Sequence, residues 1–190
     1  MNRSRLFGLS LASAVTLIAF VPRGGSAQAV TPAPARIELH ASRATSIQLD
    51  GKLDEKEWST AEAATNFTQR FPDPGHPATM RTEVRILYDA NAIYVGARMF
   101  DPHPDSITAP LARRDPGNVD SDWIDVIFDS YNDRRTGYRF GINPVGTKLD
   151  VYHFNDSDDD NSWDALWDVA TSIDSLGWTA EYRIPLSQLR

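Results

Sequence analysis

Glu83-Val84-Arg85-Ile86-Leu87-Tyr88-Asp89-Ala90-Asn91-Ala92-Ile93-Tyr94-Val95-Gly96-Ala97-Arg98-Met99-Phe100 is the stretch that decides the fold. Apolar residues recur at every second position on both sides of Asp89-Ala90-Asn91-Ala92. A period of two belongs to strands, because successive side chains leave opposite faces of the chain. Glu83 to Tyr88 and Ile93 to Phe100 therefore read as one hairpin. Val84, Ile86 and Tyr88 point inward on the first strand, and Ile93, Val95, Ala97 and Met99 on the second.

The same period continues outward in both directions. Arg36 to His40 and Ser46 to Leu49 read as strands before the hairpin. Trp123 to Phe128, Tyr138 to Asn143, Leu149 to Phe154, Asp168 to Ile173 and Trp178 to Ile184 read as strands after it. In the first of these later strands Ile124, Val126 and Phe128 form the inward set. Short strands, tight turns and a single helical turn predict an all-β chain: a two-sheet antiparallel β-sandwich of jelly-roll or immunoglobulin-like form.

The helical turn lies in Ile47-Gln48-Leu49-Asp50-Gly51-Lys52-Leu53-Asp54-Glu55-Lys56-Glu57-Trp58. Asp50-Gly51 supplies a turn, Asp54 is placed to cap a helix, and Glu57 three residues on completes a capping box. Trp58 then packs on the core.

At the amino terminus Arg3 and Arg5 precede an apolar stretch from Leu6 to Phe20, and a small-residue run ends in Ala27-Gln28-Ala29. That is the layout of a secretory signal peptide over residues 1–29. Residues 30–36, with Pro32 and Pro34, read as a linker, and 37–190 as one domain of ordinary size. Losing Arg3, Arg5 and Arg23 takes the formal net charge from −7 to −10. Such a surface repels nucleic acid and anionic lipid. The chain has no cysteine, which excludes disulfides, thiolate metal sites and lipoprotein acylation. After Ile184-Pro185 an amphipathic turn begins, so more chain is expected beyond Arg190.

The Ile47–Trp58 opening and the Tyr88–Gly96 hairpin resemble family 9 carbohydrate-binding modules, which are DOMON-like β-sandwiches. So do Asp122-Trp123-Ile124-Asp125-Val126-Ile127-Phe128-Asp129, Gly137-Tyr138-Arg139-Phe140 and Gly177-Trp178-Thr179-Ala180-Glu181-Tyr182-Arg183-Ile184-Pro185. Asp133-Arg134-Arg135-Thr136-Gly137-Tyr138 with Ile142-Asn143-Pro144-Val145-Gly146 is similar to a subgroup whose module precedes a predicted outer-membrane barrel. The resemblance implies a carbohydrate ligand and a role in polysaccharide recognition or catabolism, and the residue 1–29 pattern implies an exported protein that is periplasmic, secreted or outer-membrane-associated.

Sugar recognition needs a flat apolar platform and planar polar groups for vicinal hydroxyls. If Ile124, Val126 and Phe128 point inward, Trp123, Asp125 and Ile127 share the other face. The resemblance puts an acid at Asp125 and an arginine at Arg139 on the sugar's hydroxyls. It also puts a clamping tryptophan near Val119, where this chain has no aromatic residue. Trp123 is expected to replace it, Trp163 or Trp167 to form the second wall, and Asn143 to add a polar contact. Asp156, Asp158 and Asp160 offer hard oxygen donors for structural Ca²⁺, with Asp120 and Asp122 a weaker pair. The segment lacks the turn glycine and terminal glutamate of an EF-hand, and a solvated acidic loop is its other reading.

Catalysis has little footing. The sequence contains no Ser/His/Asp grouping with a nucleophile turn, no HExxH and no phosphate loop. His40, His76, His103 and His153 show no ligand spacing. Three functions stay open: a sugar-binding module, a structural domain packed on an outer-membrane barrel, and b-type haem electron transfer through Met99 and His153.

Overall fold

The computed structural model describes residues 38–190. The expected signal peptide, the expected linker and the start of the expected Arg36 to His40 strand lie outside the described residues. From Glu38 to His40 no strand forms; the first is β1, Ser42–Arg43. Ser46 to Leu49 is likewise irregular. It leads into the helical turn α1, Lys56–Thr60, and then to strands β2 (Thr82–Tyr88), β3 (Ala92–Phe100), β4 (Ile124–Phe128), β5 (Gly137–Ile142), β6 (Lys148–Phe154), β7 (Asp158–Asp160), β8 (Asp168–Asp174) and β9 (Gly177–Pro185).

Two sheets result, ordered β1-β2-β3-β9-β8 and β4-β5-β6-β7. All pairings are antiparallel except that of β1 with β2. The hairpin closes as expected: Asp89 Oδ1 accepts the Asn91 and Ala92 amides at 2.7 and 2.8 Å, and Tyr94 donates its hydroxyl to Oδ2.

Between the sheets lies the main core. Val95, Phe140, Ile142, Trp178, Ala180, Tyr182 and Ile184 are buried in it, with Val84, Ile93, Met99, Ile124, Val126 and Phe128 packed against them. The inward sets read from alternation hold, with one correction. Tyr88 is 42 % exposed, because it sits at the end of β2 beyond the reach of the opposite sheet.

A second core covers the outer face of the five-stranded sheet. Trp58 packs there with Ala44, Ala61, Leu87, Ala92 and Tyr94. Gly96 makes room for it, since a Cβ there would press into Leu53 and Trp58. The Asp50-Gly51 turn lies on the same face, with Gly51 at φ 83° and directly over the backbone of Thr171. The amides of Asp50 and Gly51 donate to Glu181 Oε2 at 3.0 and 2.7 Å, and the Trp58 indole donates to Oε1 at 3.0 Å. The expected capping box does not form. Glu55 is the N-cap residue and makes no side-chain capping bond, its carboxylate accepting the Gln48 amide instead, while Glu57 accepts from Thr45.

Candidate carbohydrate site on the four-stranded sheet

β4, β5 and β6 turn one face to the core and the other outward. Asp125 and Ile127 lie on the outward face of β4, and Arg139 on that of β5, paired in register with Ile127. Arg139 reaches diagonally to Asp125, Nη2 to Oδ2 at 2.8 Å. The residue opposite Asp125 is Gly141. A Cβ at Gly141 would collide with Asp125 Oδ1 and crowd Leu149, so the bare glycine lets the carboxylate lie across β5 toward the guanidinium. Both partners remain partly exposed to solvent.

Beside this pair is a cleft of about 540 Å³, within the range of small-ligand sites. Arg139, Leu149 and Val151 line it from the sheet, together with Trp123, the 115–119 loop and Asn161. Trp123 is half-buried, and its indole N–H points to the Val119 carbonyl at 3.5 Å. Arg139 Nε is buried and has no hydrogen-bond partner among the described residues.

The loop beside the cleft is held by an ion cluster built on one buried carboxylate, Asp150. Asp150 is fully buried on β6 and takes Arg114 through Nε and Nη2 at 2.6–2.8 Å, and the Ala165 amide at 2.6 Å. Asp115 Oδ1 accepts the Asp150 amide at 2.9 Å, and Arg114 also meets Asp164 at 2.8 Å. Burial pushes the Asp115 carboxyl above its usual range, and the nearby Asp150 charge adds to that. Trp123 is reached through Ser121 and Asp122, which bond to Thr108.

Trp123, Asp125 and Arg139 thus come together as expected. Three other residues do not join them. Trp167 is 3 % exposed, stacked on Tyr182 at 5.6 Å and edge-on to Phe140 at 5.4 Å. Trp163 packs on Tyr138 and Phe140 in the same core. Neither indole is a second wall, because both face inward to fill the space between the sheets. Asn143 is fully buried: its amide donates to Pro110 O and Ser121 Oγ, and its carbonyl accepts from Val145 and Thr147. Its carbonyl closes the β5–β6 turn and its amide ties that turn to the 110–121 segment, so its bonding capacity is spent within the protein.

The expected metal set is not brought to one point. Asp156 lies beside the Arg135 guanidinium, Asp158 accepts from the Asn155 amide, and Asp160 accepts the Ser162 amide and hydroxyl, so each carboxylate of the expected set turns to its own neighbour. Among the described residues, the acids whose oxygens converge are Asp115, Asp150 and Asp164, and Arg114 already sits among them. These residues do not fit a calcium site. Asp122 of the weaker pair accepts the Thr108 amide. Met99 packs into the core, whereas His153 bonds Asp159 beside outward-facing Gly137 and Ile127, so the two are on different faces and cannot bind one haem.

Sequence reasoning missed Asn118, Asn161, Gly141 and the ion cluster. Only Gly141 carried a signal, since a glycine inside a strand marks a close approach.

These features define a two-sheet β-sandwich with an open polar cleft on one face. The chain belongs to the family described as carbohydrate family 9 binding domain-like, whose sequence model matches residues 49–190. No curated protein sequence matches it. Its fold is similar to a carbohydrate binding module family 9 from Caldicellulosiruptor kristjanssonii, solved in complex with cellotriose: 20 % identity, TM-score 0.56, 77 % of this chain and 67 % of that chain. The complex of such a module from the same organism with glucose aligns at 19 % identity and TM-score 0.55, over 77 % and 68 % of the two chains. A putative carbohydrate-binding protein from Bacteroides uniformis aligns at 13 % identity and TM-score 0.61, over 78 % and 72 %.

Proposed function

We propose that this chain is an exported, non-catalytic carbohydrate-binding module that takes the end of a mono- or oligosaccharide into the Trp123–Arg139 cleft. The observation that carries the reading is the Asp125–Arg139 pair beside a half-buried indole that lines an open cleft. Asp125 accepts from one sugar hydroxyl, Arg139 donates to its neighbour, and the pyranose C–H face rests on Trp123. Asn118 and Asn161 are placed for further hydroxyls. The glucose and cellotriose complexes of the relatives make β-glucosides the first ligands to try. Calorimetric titration tests this: millimolar or tighter binding of a glucoside or cello-oligosaccharide supports it, and no binding of any mono- or oligosaccharide refutes it.

Export rests on the residue 1–29 pattern. Within an exported polypeptide the module would anchor a partner activity to polysaccharide in carbohydrate catabolism. A second reading, a periplasmic domain packed on an outer-membrane barrel, rests on the Asp133–Tyr138 and Ile142–Gly146 blocks. The coding sequence after Arg190 distinguishes them: alternating strands of about ten residues with aromatic girdles support the barrel.

A further inference from the structure

Along one side the sandwich is only partly closed. β1 covers Leu87 and Tyr88 of β2, Ala64 pairs with Val84 on the same edge, and β4 is the edge of its own sheet. Between β2 and β4 runs a groove of about 580 Å³. Val84, Ile86, Met99, Ile124 and Val126, all pointing inward by alternation, are only half-buried along it, and Phe67 closes its far lining. Among the described residues its one charged lining residue is Asp125, which is already paired with Arg139.

Trp123 lines both this groove and the sugar cleft, while Asp125 lines the groove and bonds the arginine of the cleft. The two spaces therefore lie side by side, with the Trp123 indole and the Asp125–Arg139 pair forming walls of both. A second sugar ring in the groove would bring hydroxyls to apolar surroundings, where the Thr82 side chain is the main neutral polar partner. An alkyl or aryl group meets no such cost.

We propose that the module recognises glycosides with an apolar aglycone, the sugar held in the cleft and the aglycone lying in the β2–β4 groove. This rests on the sugar reading above and names the ligand class of that site. A buried methylene strengthens binding about four-fold, so two seated in the groove give more than about ten-fold.

The test is titration of the full chain with methyl β-glucoside, octyl β-glucoside below its micellar concentration, and octanol. The expected result is a measurable methyl glucoside affinity, an octyl glucoside at least about ten times tighter, and weak octanol. Phe67→Ala, and Leu39→Asn as a second variant at the groove, should remove most of the octyl gain and leave the methyl glucoside unchanged, with melting curves confirming the fold. Equal affinity for the two glucosides overturns the proposal and leaves the sugar reading standing, as does an octyl gain that survives both variants. Octyl glucoside and octanol binding alike without methyl glucoside refutes the joint site in favour of a separate apolar one. Binding of neither glucoside refutes the sugar reading and this proposal with it.

Discussion

Replacing Glu181 by glutamine tests how the Asp50-Gly51 turn is locked to the sheet. The carboxylate is fully buried and takes three donors, two backbone amides on Oε2 and the Trp58 indole on Oε1. Glutamine keeps one carbonyl oxygen for the two amides, but then sets its own N–H₂ against the Trp58 N–H. That unsatisfied contact costs about 1–3 kcal/mol. Removal of the carboxyl also changes the pH profile. Burial is the largest influence on Glu181 and pushes its pKa from 4.5 up to about 7, against the pull of the three donors. Between pH 4.5 and 7 the folded chain keeps a proton that the unfolded chain has released, so this contribution is complete below 4.5 and is lost as the pH rises through 7. At about 1.4 kcal/mol per unit, the shift amounts to about 3 kcal/mol across that window. For a chain of this size each kcal/mol moves the melting temperature by about 2–4 °C. Urea unfolding of wild type and Glu181→Gln from pH 4.5 to 7.5 measures the difference: the wild type should lose stability relative to the variant as the pH rises. Parallel profiles would refute the buried-carboxyl account.

Trp123→Ala, Asp125→Ala and Arg139→Ala should each weaken sugar binding about ten-fold to a hundred-fold, the loss of one charged bond or the stacking platform, with little change in melting; calorimetry and thermal scans in parallel check this. Gly141→Ala should displace the Asp125 carboxylate from Arg139 and reduce affinity more than stability, an outcome that a wild-type titration curve would contradict. Trp167→Ala should destabilise the fold by about 3–5 kcal/mol in chemical denaturation, because the ring fills the inter-sheet core. Amino-terminal sequencing of exported protein should begin near Val30, and retention of Met1 would reject the signal peptide.

Alternation by itself determined the strand hairpin, the inward sets of β3 and β4, the two-sheet class, and the sharing of one face by Trp123 and Asp125. These follow from local backbone geometry, which any strand imposes on its own sequence. Tertiary structure decided what lies over each face. Trp163, Trp167 and Asn143 have no periodic signature, and only the opposite sheet and the 110–121 segment turn them into buried residues. Asp158 to Asp160 became an edge strand because β6 offered a free edge to pair with. Glu181 sits at an outward position of β9, where solvent would be the local expectation, until a turn about 130 residues away in sequence folds over it. Burial of a side chain depends on partners remote in sequence, and one chain read on its own does not reveal which remote segments meet.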